Sequence, residues 1–309
     1  MTPLAGADSL RYSCDERNKS SISLGEGTWM GAPGTRLEGR VALITGAARG
    51  QGRSHAVRLA GDGADVVLVD ICADIASVPY GQPGPDDLAE TKRLVEATGR
   101  RAITVVADVR DGPAMEAASA VAFERFGRID IVCANAGVIQ LKPATEISAS
   151  DWADVIGINL TGAWNTIAPT LAPMIDRDEG GSIIITSSAA GVKGPPNMAH
   201  YAAAKSGLIG LMRSLAAELG PHRIRVNCLA PTTVDTEMVH WPEAYQIFRP
   251  DLVAPGRSDV VDAFTSLNVL PVPWIDASDV TEAVAWLASD QARFVTGIVL
   301  PIDAGTLIK

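Results

Sequence analysis

Short apolar runs recur along the chain at 41–45, 66–69, 103–107, 129–133, 182–186, 224–229 and 298–300. Between them lie stretches whose apolar residues fall at helical spacing, most clearly Leu208, Leu211, Met212, Leu215 and Leu219. Runs without polar alternation predict strands buried on both faces, as in a parallel sheet covered by helices. The pattern predicts an α/β fold, a single doubly wound parallel sheet of about seven strands with helices on both faces. Asp86 is expected to cap a helix that Gly99 stops. Asp111 and Pro113 are expected to open another that ends near Phe126. A long helix is expected from Trp152 to about Met174, carrying Asn159 and interrupted late by Pro169 and Pro173. Ser278 is expected to cap the last one. No internal repeat and no second core is visible, so residues 38–309 read as one domain.

Three stretches break the rhythm. Residues 1–37 are polar, rich in Gly and Ser, and expected to be a disordered tail. Met30 is a second candidate initiator. The run at 30–35 would fit a myristoylation pattern in a eukaryotic chain that began there, a short motif that chance supplies readily. Residues 71–86 form a long strand-to-helix connection in which Ile71, Ile75, Val78 and Tyr80 predict a packed flap. Residues 232–276 hold Trp241, Tyr245, Phe248 and Trp274 among prolines. This second insert reads either as a substrate lid or as a small packed subdomain.

Chemistry enters at the strand ends. The run at 41–45 leads into a turn with Gly46, Gly50 and Gly52, and the next strand ends at Asp70. A glycine turn before a helix lets the backbone approach a pyrophosphate, and a carboxylate ending the second strand meets a ribose. This is a Rossmann-type dinucleotide unit. Asp70 repels a 2′-phosphate, whereas Arg49 in the turn could hold one. Burying Asp70 against a phosphate costs more, so NAD is expected rather than NADP. Tyr201 and Lys205 lie four apart on a predicted helix and share a face, where a cation is expected to lower the phenol pKa. His200 points about 100° away and reads as a flank or lid contact. Trp152 and Trp164 read as core or interface anchors.

The turn from Thr45 to Gly52, with Asp108, Asn135-Ala136-Gly137, Asn159, Ser188 and Tyr201-x-x-x-Lys205, resembles the short-chain dehydrogenases/reductases over residues 38–309. Ser188, 13 residues before Tyr201, matches the family's catalytic serine. Three further features resemble the mycofactocin-associated, carveol dehydrogenase-like branch. They are Gln51 in the turn, the insert that opens Asp70-Ile71-Cys72-Ala73-Asp74, and the segment from Pro231 to Thr236. The wider family carries an aliphatic residue at 51 and a glycine at 232.

The resemblance implies catalysis by Asn159, Ser188, Tyr201 and Lys205. It implies NAD contacts from Gly46, Arg49, Gly50, Gln51, Gly52, Asp70, Ile71, Asp108, Val109, Asn135, Ala136, Gly137, Tyr201, Lys205, Pro231, Thr233, Val234 and Thr236. Asp108 and Val109 would flank the adenine, and Trp241 would join Ser188 and Tyr201 at the substrate. Also implied are a secondary-alcohol substrate, poorly exchanged NAD reoxidised by mycofactocin, and a homotetramer.

A net charge of −10 argues against nucleic acid and anionic membranes as partners. No apolar run reaches membrane-spanning length, and no signal peptide is visible. Cys14, Cys72, Cys133 and Cys228 are scattered, which reads as reduced thiols in a cytoplasmic protein and not as a disulfide frame or metal site. Two rival readings stand beside the alcohol dehydrogenase: an NADPH-dependent ketoreductase of the same fold, and a non-catalytic nicotinamide-nucleotide sensor.

Overall fold

Alternate residues of the first strand face opposite cores. In β1 (Val41–Thr45), Val41 and Leu43 pack on one side of the sheet and Ala42 and Ile44 on the other. This is why the strand shows no polar alternation. The computed structural model describes residues 36–309. The tail expected over 1–37 lies outside them except for its last two residues, as do Cys14 and the motif at 30–35. Leu37 is fully buried and its N–H donates to Asp62 O at 2.8 Å, so the folded body has begun by this point.

The element order is β1, α1 (Gly50–Gly61), β2 (Asp65–Asp70), α2 (Pro85–Glu96), β3 (Ala102–Val106), α3 (Gly112–Phe126) and β4 (Ile131–Ala134). Then come α4 (Ala149–Ile156), a π-helical turn (Gly157–Thr161), α5 (Gly162–Arg177), β5 (Gly181–Thr186), α6 (Ala190–Lys193), α7 (Ala199–Leu219) and β6 (Ile224–Pro231). The chain closes with α8 (Pro242–Phe248), α9 (Val261–Thr265), α10 (Ala277–Ala288) and β7 (Val299–Ile302). The sheet order is β3-β2-β1-β4-β5-β6-β7, and every pairing is parallel. Consecutive crossovers run one way from β1 and the other way from β4, so a cleft opens between these strands at their C-terminal ends.

Four expectations are corrected. Gly84, not Asp86, precedes α2, with Pro85 in its first turn and the Asp87 carboxylate accepting the Gly84 N–H at 2.9 Å. Asp276 caps α10 in place of Ser278. The stretch around Asn159 begins at Ala149 and runs through Pro169 and Pro173 to Arg177; its irregularity is the π turn at Asn159 itself. Trp152 and Trp164 are 47% and 44% exposed, so neither anchors the core.

The insert at 71–86 is packed, with Ile75, Val78 and Tyr80 joined to the main core. Backbone and side-chain ties hold it. Ile139 N–H donates to Tyr80 Oη at 3.0 Å, Gln140 Nε2 to Ser77 O at 2.7 Å, and Ser77 Oγ to Asp154 at 2.6 Å. Within 232–276, Tyr245, Val260 and Phe264 form a small core against Phe248 and Trp274. Part of this second insert also walls the cavity described next.

Candidate active site

The glycine turn after β1 is shaped by close approaches. Gly46 adopts φ +68°, and a Cβ there would lie 3.0 Å from Ala136 Cα. A Cβ on Gly52 would collide with the Gly46 carbonyl. The turn can thus hug the next strand end and start α1 only with glycine at these positions. Asp70, at the end of β2, is buried. Its carboxylate accepts Ala48 N–H at 3.0 Å and Cys72 N–H at 3.1 Å. Burial raises the Asp70 carboxyl, and those N–H groups oppose the shift.

A cleft of about 120 Å³ runs from Asp70 and Ile71 along the turn, roofed by Ile75, Tyr80, Gln82 and Pro83 of the first insert. Arg49 also lines it, with its Nη2 donating to Gly81 O at 2.7 Å. The guanidinium is thereby engaged in holding the insert. Asp108 and Val109 are not among the cleft's lining residues. The Asp108 carboxylate is taken by Arg110, two residues on, at 2.6 Å and 2.9 Å.

A larger cavity of about 610 Å³ adjoins the cleft. Gln51, Asn135, Gly137, Thr236 and Met238 line both, which makes one continuous groove. Asn159, Ser188, Tyr201 and Lys205 all line the cavity, with Pro231, Thr233 and Val234 beside them. Three elements therefore deliver the family set: the π turn, the segment that follows β5, and one face of α7 over two successive turns. Ile139, Leu141, Met198, Ile247, Phe248 and Leu267 supply apolar wall. Trp241 does not line it. The indole is buried against Tyr80, with ring centroids 6.0 Å apart, and its N–H donates to Met238 O at 3.0 Å.

The electrostatics differ from the expected Lys205-activated phenol. Burial raises the Tyr201 hydroxyl, and a hydrogen bond with Ser188 pulls it back. Lys205 Nζ is 5.6 Å from the Tyr201 ring centroid and donates to Thr186 O at 2.8 Å. Burial lowers Lys205 from 10.5 to about 8. The folded state thus binds this proton less readily than the unfolded chain. Its cost to stability is full below pH 8 and disappears as pH rises through the interval to 10.5. Lys205→Met is expected to stabilise the protein at pH 7 by about 1–2 kcal/mol, net of the lost Thr186 hydrogen bond, with the gain shrinking towards pH 10. Scanning calorimetry at both pH values checks this, and a variant that melts lower at pH 7 contradicts it.

Asn159 spends its amide on backbone. Its Oδ1 accepts Val138 N–H at 3.2 Å, and its Nδ2 donates to Val138 O at 3.0 Å and Val155 O at 2.9 Å. It thereby pins the π turn to the loop after β4. His200 is fully buried, with its Nε2 3.2 Å from Gln140 Oε1. Gln140 was missed by sequence reasoning. A lone amide between Ile139 and Leu141 was the available signal, because a buried polar group between aliphatics needs partners.

Comparison with known proteins gives one consistent result. A family model described as short chain dehydrogenase matches residues 40–244. (−)-trans-Carveol dehydrogenase of Rhodococcus erythropolis is 49% identical over 275 residues, covering 89% of this chain and 99% of that protein. The crystal structure of carveol dehydrogenase from Mycobacterium avium in complex with NAD is similar at a TM-score of 0.88 and 50% identity, over 89% of this chain and all of that one. A short chain dehydrogenase from Mycobacterium paratuberculosis bound to NAD follows at TM-score 0.81 and 43% identity, covering 89% and 100%.

Proposed function

The chain belongs to the short-chain dehydrogenase family, and from that premise we propose an NAD-dependent alcohol dehydrogenase that acts on an apolar, cyclic secondary alcohol of terpenoid type. The observation that carries the reading is the continuous groove, with Asp70 at one end and Tyr201 and Ser188 at the other. The residues present fit a dinucleotide. The glycine turn leaves room for a backbone-bound pyrophosphate, and Gln51 Oε1 is buried at the join of cleft and cavity with no partner from the protein. Gly46, Gly50, Gln51, Gly52, Asp70, Ile71, Asn135, Ala136, Gly137, Pro231, Thr233, Val234 and Thr236 would hold it. NAD, when bound, accepts or returns the hydride.

The chain's own residues do the rest. Tyr201 takes the proton of the substrate hydroxyl, or gives it in the reductive direction. Ser188 donates to the substrate oxygen where charge develops. Lys205 supplies a cation beneath that oxygen, and Asn159 holds the π turn so that this face stays open. The apolar wall and the similarity to a carveol dehydrogenase support an apolar cyclic substrate. The roofed cleft supports a nucleotide that leaves slowly, with reoxidation in place by mycofactocin. Cys72, Cys133 and Cys228 are free thiols, which supports a cytoplasmic setting. Among the described residues no helix is long and apolar enough to cross a membrane.

Asp70 and the engaged Arg49 disfavour the NADPH ketoreductase reading. Four reactive side chains converging on one cavity disfavour a sensor. The testing experiment is calorimetry on nucleotide-stripped protein. NADPH is expected to bind at least ~100-fold more weakly than NADH, because like charges meet at Asp70. Comparable affinities would transfer the reading to the ketoreductase. The half-exposed Trp152 and Trp164 on α4 and α5 support pairing of copies into a homotetramer. Light scattering that finds a stable monomer at micromolar concentration excludes this.

A further inference from the structure

The cavity follows the C-terminal edge of the sheet. It runs from Ser188 after β5, past Thr232 after β6, to Thr306 after β7. Two strand spacings separate its ends, about 10 Å. At the far end, three segments distant in sequence are tied together. Thr232 Oγ1 and Thr306 Oγ1 lie 2.8 Å apart, and both reach Asn268 Oδ1, at 3.2 Å and 2.5 Å. Asn268 is 2% exposed, and its Nδ2 donates to Val272 O at 2.7 Å. Lys193 from α6 donates to Thr306 O at 3.1 Å, and Lys309 Nζ to Asn268 O at 2.6 Å.

We propose that Thr232, Asn268 and Thr306 form a fixed end wall that sets how long a substrate the cavity admits. Thr232 and Thr306 face the cavity, while Asn268 stands behind them and joins the second insert to the last turn of the chain. Pushing the wall outward strands a buried amide whose two ends are both engaged, and a stranded buried polar group is costly. Apolar side chains around the cavity would yield more easily, since they can repack without losing hydrogen bonds. The wall therefore resists where the rest of the lining adapts. Thr232 gives this end its side chain directly after β6, where the wider family carries a glycine.

The inference rests on the alcohol dehydrogenase reading only in its choice of ligand. The test is calorimetric binding of a homologous series of 2-alkanols, with kcat/KM measured beside it. Wild-type affinity is expected to climb with chain length and then fall where the alkyl chain meets the wall. Asn268→Ala is expected to move that fall outward by one or two methylenes and to raise affinity for the first excluded alcohol about tenfold. Should Asn268→Ala not fold, Thr306→Val removes one hydroxyl at nearly constant volume and is expected to shift the profile the same way. A folded variant with an unchanged length profile overturns the proposal, and so does a wild-type protein that binds no member of the series. If the wild type binds the series but oxidises none of it, the dehydrogenase reading falls while the binding profile still decides the wall.

Discussion

Tyr201→Phe is expected to lower the single-turnover rate of alcohol oxidation by at least ~10²-fold, the usual cost of losing a general acid/base. The substitution keeps the ring that packs in the core and removes only the hydroxyl beside Ser188. Nucleotide content should not change, since the hydroxyl faces the larger cavity and not the cleft at Asp70. Burial raises the Tyr201 hydroxyl above its ordinary value, so the wild-type oxidation rate should still be climbing at alkaline pH as the phenolate forms. That climb should vanish in the variant. Rapid-mixing absorbance of the reduced nucleotide across pH reads both effects, and near wild-type rates in Tyr201→Phe would remove the residue from its assigned role.

The strands could be read from the chain because both faces of the sheet are covered. Runs such as 41–45 and 182–186 then need no polar positions, and few alternatives bury such runs. Helix ends were less legible. Asp86 and Asp87 are equivalent by composition, and only backbone geometry puts the cap at Gly84. A π turn leaves no periodic trace, so the break at Asn159 stayed invisible while Pro169 and Pro173 drew attention they did not merit.

In the site, Tyr201 and Lys205 were legible because their relation is local to one helix. Asn159 and Ser188 came from the family intervals, not from any local signal. The burial of Trp241 against Tyr80 was not legible, because it depends on where the other insert lies. Asp108 is paired with Arg110, two residues on, a local contact that composition alone does not weigh against a ligand contact. Asn268 is legible only once distant segments have met.

Removing the roof of the cleft is expected to make the nucleotide exchangeable. The first insert leaves the sheet directly after Asp70 and closes over the turn, where Ile75, Tyr80, Gln82 and Pro83 line the cleft. Opening it breaks four ties to the body, Arg49 to Gly81, Ile139 to Tyr80, Gln140 to Ser77 and Ser77 to Asp154. It also exposes Ile75, Val78 and Tyr80, which are each at most 9% exposed when closed. Each tie is worth about 0.5–1.5 kcal/mol, and burial of each apolar side chain about 1.5–3 kcal/mol. A fraction of that sum slows release by ~10²–10³-fold, since every 1.4 kcal/mol is a factor of ten. Wild-type protein is therefore expected to carry NAD(H) through dialysis. It should turn over poorly with added NAD alone and oxidise alcohol when an artificial electron acceptor is present. A variant in which a short Gly-Ser link replaces residues 73–84 should lose its nucleotide on dialysis. Gln140→Leu, which keeps the loop length and removes one tie, should speed release by about 2–10-fold. Mass and absorbance analysis of the purified protein, with a chase of labelled NAD, measures both. If the wild type purifies empty and turns over freely with added NAD, the insert does not retain the nucleotide, and its packing over the cleft serves the fold alone.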